Sequence, residues 1–184
     1  MRRLTVAFAL LALTVVAGCE STSTEKEEPA TFKPTSDLPM TFTYPGNLKR
    51  PESSEFSVKE GSESKADVVL AIDEKNAVVV SRYDIGVAID RGNLAQVRPE
   101  LDGIVKRLTR KRARGTRVKR GGLPGFEYRV PIVKPVKARS VLTFLFDGRR
   151  EYEFNCQYTS EHEEELLRAC DQVLKTLKVT RAGG

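Results

Sequence analysis

The stretch 140–158, SVLTFLFDGRREYEFNCQY, constrains this chain more than any other. Two apolar runs rich in aromatic and branched residues flank Asp147-Gly148. That pair favours the tight turn of a β-hairpin, in which both turn positions call for positive φ. Tyr152, Phe154, Cys156 and Tyr158 recur every second residue, so one face of the second strand is apolar. A two-stranded hairpin alone is marginal in water, and this face needs a cover. The sequence supplies one directly. In the helix after TSEHEEELL, residues Leu166, Leu167, Cys170, Val173, Leu174 and Leu177 fall on one face at helical spacing. Ser160 with Glu163 reads as a capping box, and the acids of the first turn suit the positive end of the helix dipole. The helix is expected to end near Leu177.

The rest of the chain carries similar signals. TFTY (41–44) reads as a short strand before the Pro45-Gly46 turn, and EFSV (55–58) as another. DVVLAI (67–72) and AVVVSRY (77–83) form a hairpin around DEKN. Leu94, Val97, Leu101, Ile104, Val105 and Leu108 repeat at helical spacing. Pro99 leaves two options. Either the helix starts there, with Glu100 and Asp102 near its positive end, or an earlier turn is kinked. Gly115 reads as the stop. TRVKR (116–120), the turn GGLPG, and a strand with Phe126, Tyr128, Val130 and Ile132 inward follow. Hairpins dominate, and two amphipathic helices must cover a mostly antiparallel sheet. The class is α+β.

The N-terminus, MRRLTVAFALLALTVVAGC, has the three parts of a secretory signal: Arg2 and Arg3, an apolar run, then small residues. The apolar run is short for a membrane span. VAGC resembles the bacterial lipobox, with Val16 where leucine is commonest. The resemblance implies that residues 1–18 are cleaved and that Cys19 takes a diacylglycerol, anchoring the protein to the outer face of the cell membrane. Two acyl chains suffice for stable anchoring. An ordinary cleaved signal with an incidental cysteine is the alternative. Residues 20–37 are polar and rich in Ser, Thr, Glu and Pro, and read with Cys19 as a flexible tether. One domain is expected over 38–180, with 181–184 a frayed tail.

An exported domain with two remaining cysteines, Cys156 and Cys170, both facing the hairpin–helix interface, reads as having one disulfide. Two buried free thiols are the alternative. The whole chain is at +6. Removing Arg2 and Arg3 with the signal leaves +4, and the tether is acidic, so the folded part is near +7.

Taken together, TYPGN, VKRGGLPGFEYRV and LFDGRREYEFNCQYTSEHEEELLRACDQVLKTLKV resemble the PsbP-like superfamily and, within it, the small LpqN-type lipoproteins of actinobacteria. The resemblance covers about residues 38–180. It implies an α-β-α sandwich, with an antiparallel sheet between helices. It implies accessory or binding roles rather than a shared activity, and it transfers no site residues.

No nucleophile elbow, metalloprotease, phosphate-loop or dinucleotide motif is present in the sequence, so neither an enzyme nor a cofactor is expected. His162 and Glu165 alone are too few ligands for a metal site. One segment stands above background. KRLTRKRARGTRVKR (106–120) holds Lys106, Arg107, Arg110, Lys111, Arg112, Arg114, Arg117, Lys119 and Arg120, and no acid. One or two such cations would offset a helix dipole; the others repel one another. Nucleic acid is the wrong partner outside the cytoplasm. Anionic lipid, an anionic wall polymer or an acidic envelope protein would fit a docking patch, against the reading of a merely solvated basic face. A carrier holding an apolar or lipid ligand between sheet and helices is the alternative function.

Overall fold

A computed structural model describes residues 28–51, 68–132 and 137–180. The signal, Cys19, the strand expected at 55–58 and the tail at 181–184 lie outside them. Among the described residues the chain forms β1 (Ala30–Phe32), β2 (Met40–Tyr44), β3 (Val68–Ala71), β4 (Ala77–Ile89), α1 (Leu94–Thr109), β5 (Thr116–Arg120), β6 (Leu123–Ile132), β7 (Ala138–Tyr158), α2 (Glu163–Thr176) and β8 (Lys178–Val179).

The organising element is β7. Its first part pairs antiparallel with β6, from Ala138 opposite Ile132 to Leu145 opposite Gly125. Its second part pairs antiparallel with β4, from Gly148 opposite Ile89 to Gln157 opposite Ala77. Ser140 donates a hydrogen bond to Asn155. Fifteen residues of straight strand would put these two about 50 Å apart. The strand therefore doubles back at Asp147-Gly148, as the hairpin signal predicts. Only Gly148 takes positive φ there, at 62°. Asp147 does not, so the expectation of two positive-φ positions is corrected.

The large sheet runs β3-β4-β7-β6-β5, and a smaller one runs β1-β2-β8. The two arms of β7 send Leu142, Phe144 and Phe146 to one side and Val141, Leu145, Tyr152, Phe154, Cys156 and Tyr158 to the other. The first set packs with Phe126, Tyr128 and Val130 under Leu94, Leu101 and Val105 of α1. The second packs with Val78 and Val80 under Leu166, Ala169, Cys170, Val173 and Leu174 of α2. Phe32, Leu38, Met40 and Phe42 of the small sheet join that second core. This is the expected α+β architecture of a mostly antiparallel sheet between two helices. The Cys156–Cys170 disulfide is present, with Cα atoms 6.0 Å apart, and it ties α2 to the arm of β7 it covers.

Several local expectations change. The tether does not extend to residue 37: β1 pairs with β2 from Ala30, and Phe32 stacks on Phe42 with ring centroids 4.9 Å apart. Its polar neighbours hid one buried aromatic. α1 starts at Leu94 and contains Pro99, with no acid in its first turn. It begins early because the loop before it is already closed: Asp90 Oδ1 accepts from the Gly92 and Asn93 amides at 2.7 and 3.1 Å, and Leu94 N–H donates to Asp90 O at 3.0 Å. α1 stops at Arg110, ahead of Gly115. Gly115 is needed for another reason, since a Cβ there would lie 2.5 Å from the Tyr128 ring. The expected Ser160–Glu163 capping box is not formed; His162 is the N-cap and makes no side-chain cap bond.

Two features carried no sequence expectation. β8 pairs with β2, Met40 opposite Val179. Asn76, 2 % exposed, accepts the Thr159 amide at 2.8 Å and so ties the β3–β4 hairpin to the end of β7.

Gly125 gives a test of the β6–β7 pairing. A Cβ there would fall 1.9 Å from the Phe144 carbonyl oxygen, which a strand cannot accommodate without moving apart. Gly125→Ala is expected to lower stability by about 3 kcal/mol in urea denaturation, whereas Gly86→Ala, with open space around it and no positive φ, should lose less. Equal losses would contradict the close approach.

Candidate functional site

The basic segment is split by the fold. Lys106 and Arg107 occupy the last turn of α1. Arg110, Lys111, Arg112 and Arg114 follow in the connecting loop, all exposed. On β5, Arg117 lies opposite Phe126, which belongs to the core under α1, and cross-strand partners share a face. Arg117 and, two residues on, Lys119 therefore stand on the α1 side. Arg120 lies opposite Leu123, in the α2 core, and pairs with Glu127 at 3.6 Å. It belongs to the other face. The remaining eight form no ion pair among the described residues.

The helix end that carries these cations is built at a local cost. Arg110 sits at φ 55°, ψ 15°, the left-handed position that glycine takes at a helix C-terminus because it has no Cβ penalty. Thr109 secures the turn: its hydroxyl donates to Val105 O at 2.8 Å and accepts the Lys111 amide at 3.2 Å. Leu108, among the cations, is 45 % exposed.

Asp102 anchors the loop from inside α1. Its Oδ1 accepts from the Tyr128 hydroxyl at 2.7 Å and from the Gly115 amide at 3.3 Å, and Arg98 lies 3.9 Å from Oδ2. Burial pushes the Tyr128 phenol well above its ordinary range, and the Asp102 bond and charge add to this. Asp102 therefore positions the loop and does not serve the helix dipole. The i, i+4 spacing of Arg98 and Asp102 was its available signal.

Elsewhere, His162 lies between Glu165, 3.0 Å from Nδ1, and Asp73, 3.9 Å from Nε2. The Glu165 hydrogen bond pushes the imidazole up. Among the described residues no group of His, Cys, Asp and Glu is placed to hold a metal ion, and no helix is long and apolar enough to cross a membrane. The aromatics that a carrier could use to line a groove, including Phe42, Phe144, Phe146 and Phe154, are in the cores.

The comparisons with known proteins bear on the fold. No family model and no curated protein matches this sequence. Solved structures do. The solution structure of cyanobacterial PsbP (CyanoP) from Synechocystis sp. PCC 6803 is 15% identical, with a TM-score of 0.56, over 90% of this chain and 99% of that one. The crystal structure of LpqN, involved in cell envelope biogenesis of Mycobacterium tuberculosis, is 14% identical, with a TM-score of 0.51, over 86% of this chain and 87% of that one. This chain has a PsbP-like fold. At these identities the likeness is one of architecture, and the PsbP-like fold assigns no site.

One titration follows from the geometry. Glu151 is pushed up to about 7, first by burial and then by the charges of Glu153 and of Glu100 on α1; Tyr83 lies opposite it on β4. The folded chain thus holds a proton between about 4.5 and 7 that the unfolded chain releases. This contribution to stability is full below pH 4.5 and is lost as pH rises through 7. Glu151→Gln is expected to flatten that decline in urea titrations and to stabilise at pH 8 by about 1–2 kcal/mol. A variant less stable than the wild type at pH 8 would contradict the assignment.

Proposed function

We propose that this protein is a lipid-anchored, non-catalytic accessory protein of the cell envelope that docks on anionic phospholipid through the end of α1 and the following loop. The observation that carries the reading is Arg110. An arginine occupies a left-handed helix cap within a run of cations that repel one another, where glycine would be more stable and leave less charge. Retaining charge at a strained position fits a role outside the fold itself. Leu108 favours a lipid surface over a wall polymer or an acidic protein. An exposed leucine ringed by cations can enter the acyl boundary while the cations stay with the headgroups.

The anchor would hold the patch near that surface. Cys19 as the lipidated residue, with residues 20–29 as a spacer, supports this, as does the likeness to LpqN, a protein involved in cell envelope biogenesis.

Two variants separate docking from folding. Arg110→Gly should raise stability by about 1 kcal/mol while weakening binding to phosphatidylglycerol vesicles about fivefold. Reversing Arg107, Arg110, Arg112 and Arg114 to glutamate should abolish that binding without lowering the melting temperature. Full binding by the fourfold variant would overturn the docking surface, leaving the PsbP-like fold untouched.

A further inference from the structure

On the opposite face, a pocket of about 330 Å³ opens between the Pro34–Pro39 turn, Thr180, and the side chains of Arg82 and Arg150. It forms where the small sheet meets the end of β4 and β7. Thr180 N–H donates to Pro39 O at 2.8 Å, closing one wall. Arg82 lies opposite Tyr152, and Asp84 opposite Arg150, so Arg82, Tyr152 and Arg150 share the face that looks into this corner. Beyond Asp84, β4 leaves register until Ile89. Such bulges re-aim side chains at the rims of sheets.

The two arginines differ. Arg82 is held in place: Asp84 is 3.6 Å away, and its guanidinium donates to the carbonyls of Ser36 and Asp37. Arg150 forms no ion pair among the described residues. Behind it Tyr152 is fully buried, and the Arg150 guanidinium is the group that interacts with its hydroxyl. The corner thus combines two guanidinium groups and one exposed counter-carboxylate beside an open groove.

We infer that this pocket binds the phosphate of a compact phosphate monoester, with Arg150 as the principal ligand and Arg82 as a fixed second charge. Guanidinium groups match phosphate oxygens two at a time. The volume leaves room for the group that carries the phosphate, against Pro34 and Pro39. The monoester is either a soluble metabolite or the exposed phosphate of a lipid headgroup. This inference is independent of the docking surface, which lies across the sheet.

The test is thermal denaturation of the full chain with inorganic phosphate, with glycerol 3-phosphate, and with vesicles containing phosphatidic acid, against chloride at matched ionic strength. Saturable stabilisation by glycerol 3-phosphate is expected. Arg150→Gln should weaken it at least tenfold and Arg150→Lys less, while Arg112→Gln/Arg114→Gln should leave it unchanged. Stabilisation by the soluble monoester without protection by the vesicles points to a free metabolite; protection by both points to a headgroup. Should Arg150→Gln fail to fold, Arg150→Lys supplies the comparison. No saturable stabilisation, or an equal effect in the Arg150 variants, would overturn the site.

Discussion

The reversal of β7 at Asp147-Gly148 is the constraint on which the rest depends. Doubling back puts one arm beside β6 and the other beside β4, so a single segment forms the middle of the large sheet. The α1 core rests on the first arm, through Leu142, Phe144 and Phe146, and the α2 core on both arms, through Val141 and Leu145 of the first and Tyr152, Phe154, Cys156 and Tyr158 of the second. The disulfide then fastens α2 to its arm, and in the chain-entropy view a cross-link closing so short a loop contributes about 3 kcal/mol. α1 has no such covalent tie. Its position comes from packing and from the bonds of Asp102 to Tyr128 and Gly115.

That asymmetry bears on where charge can be carried. The α2 side is braced by the disulfide and the small sheet, and its basic residue from the rich segment, Arg120, is neutralised by Glu127. On the α1 side the cations stand exposed at a helix end, held by Thr109 and Asp102 from beneath. Mutual repulsion among them opposes folding, and the left-handed Arg110 adds strain. A fold with a well-packed core on each face of its sheet can tolerate both.

Much of this was legible in the sequence. Period-two spacing in 152–158 and period 3.6 in 166–177 identified the strand, the helix and the facing cysteines, because burial on one face leaves a periodic trace. Asp147-Gly148 located the turn, although Asp147 keeps negative φ. What stayed hidden depends on contacts distant in sequence. Phe32 lies in a polar segment, and only its stacking on Phe42 reveals β1. Gly115 looks like a helix stop until Tyr128 is placed over it. Pro99 left the helix start open between itself and an earlier turn, and the bonds of Asp90 and Asn93 set it at Leu94. The pocket residues Arg82 and Arg150 are dispersed in sequence and meet only through the β4–β7 register. For the basic run the composition was plain, while its division between two faces required the pairing of Arg117 with Phe126 and of Arg120 with Leu123.

The most direct measurement of the docking account is amide hydrogen exchange of the protein with and without phosphatidylglycerol vesicles. The account predicts slowed exchange confined to the end of α1 and the loop through residue 119, with α2 unchanged. Protection centred on α2 or the small sheet, or none in 106–119 when the protein is bound, would contradict it.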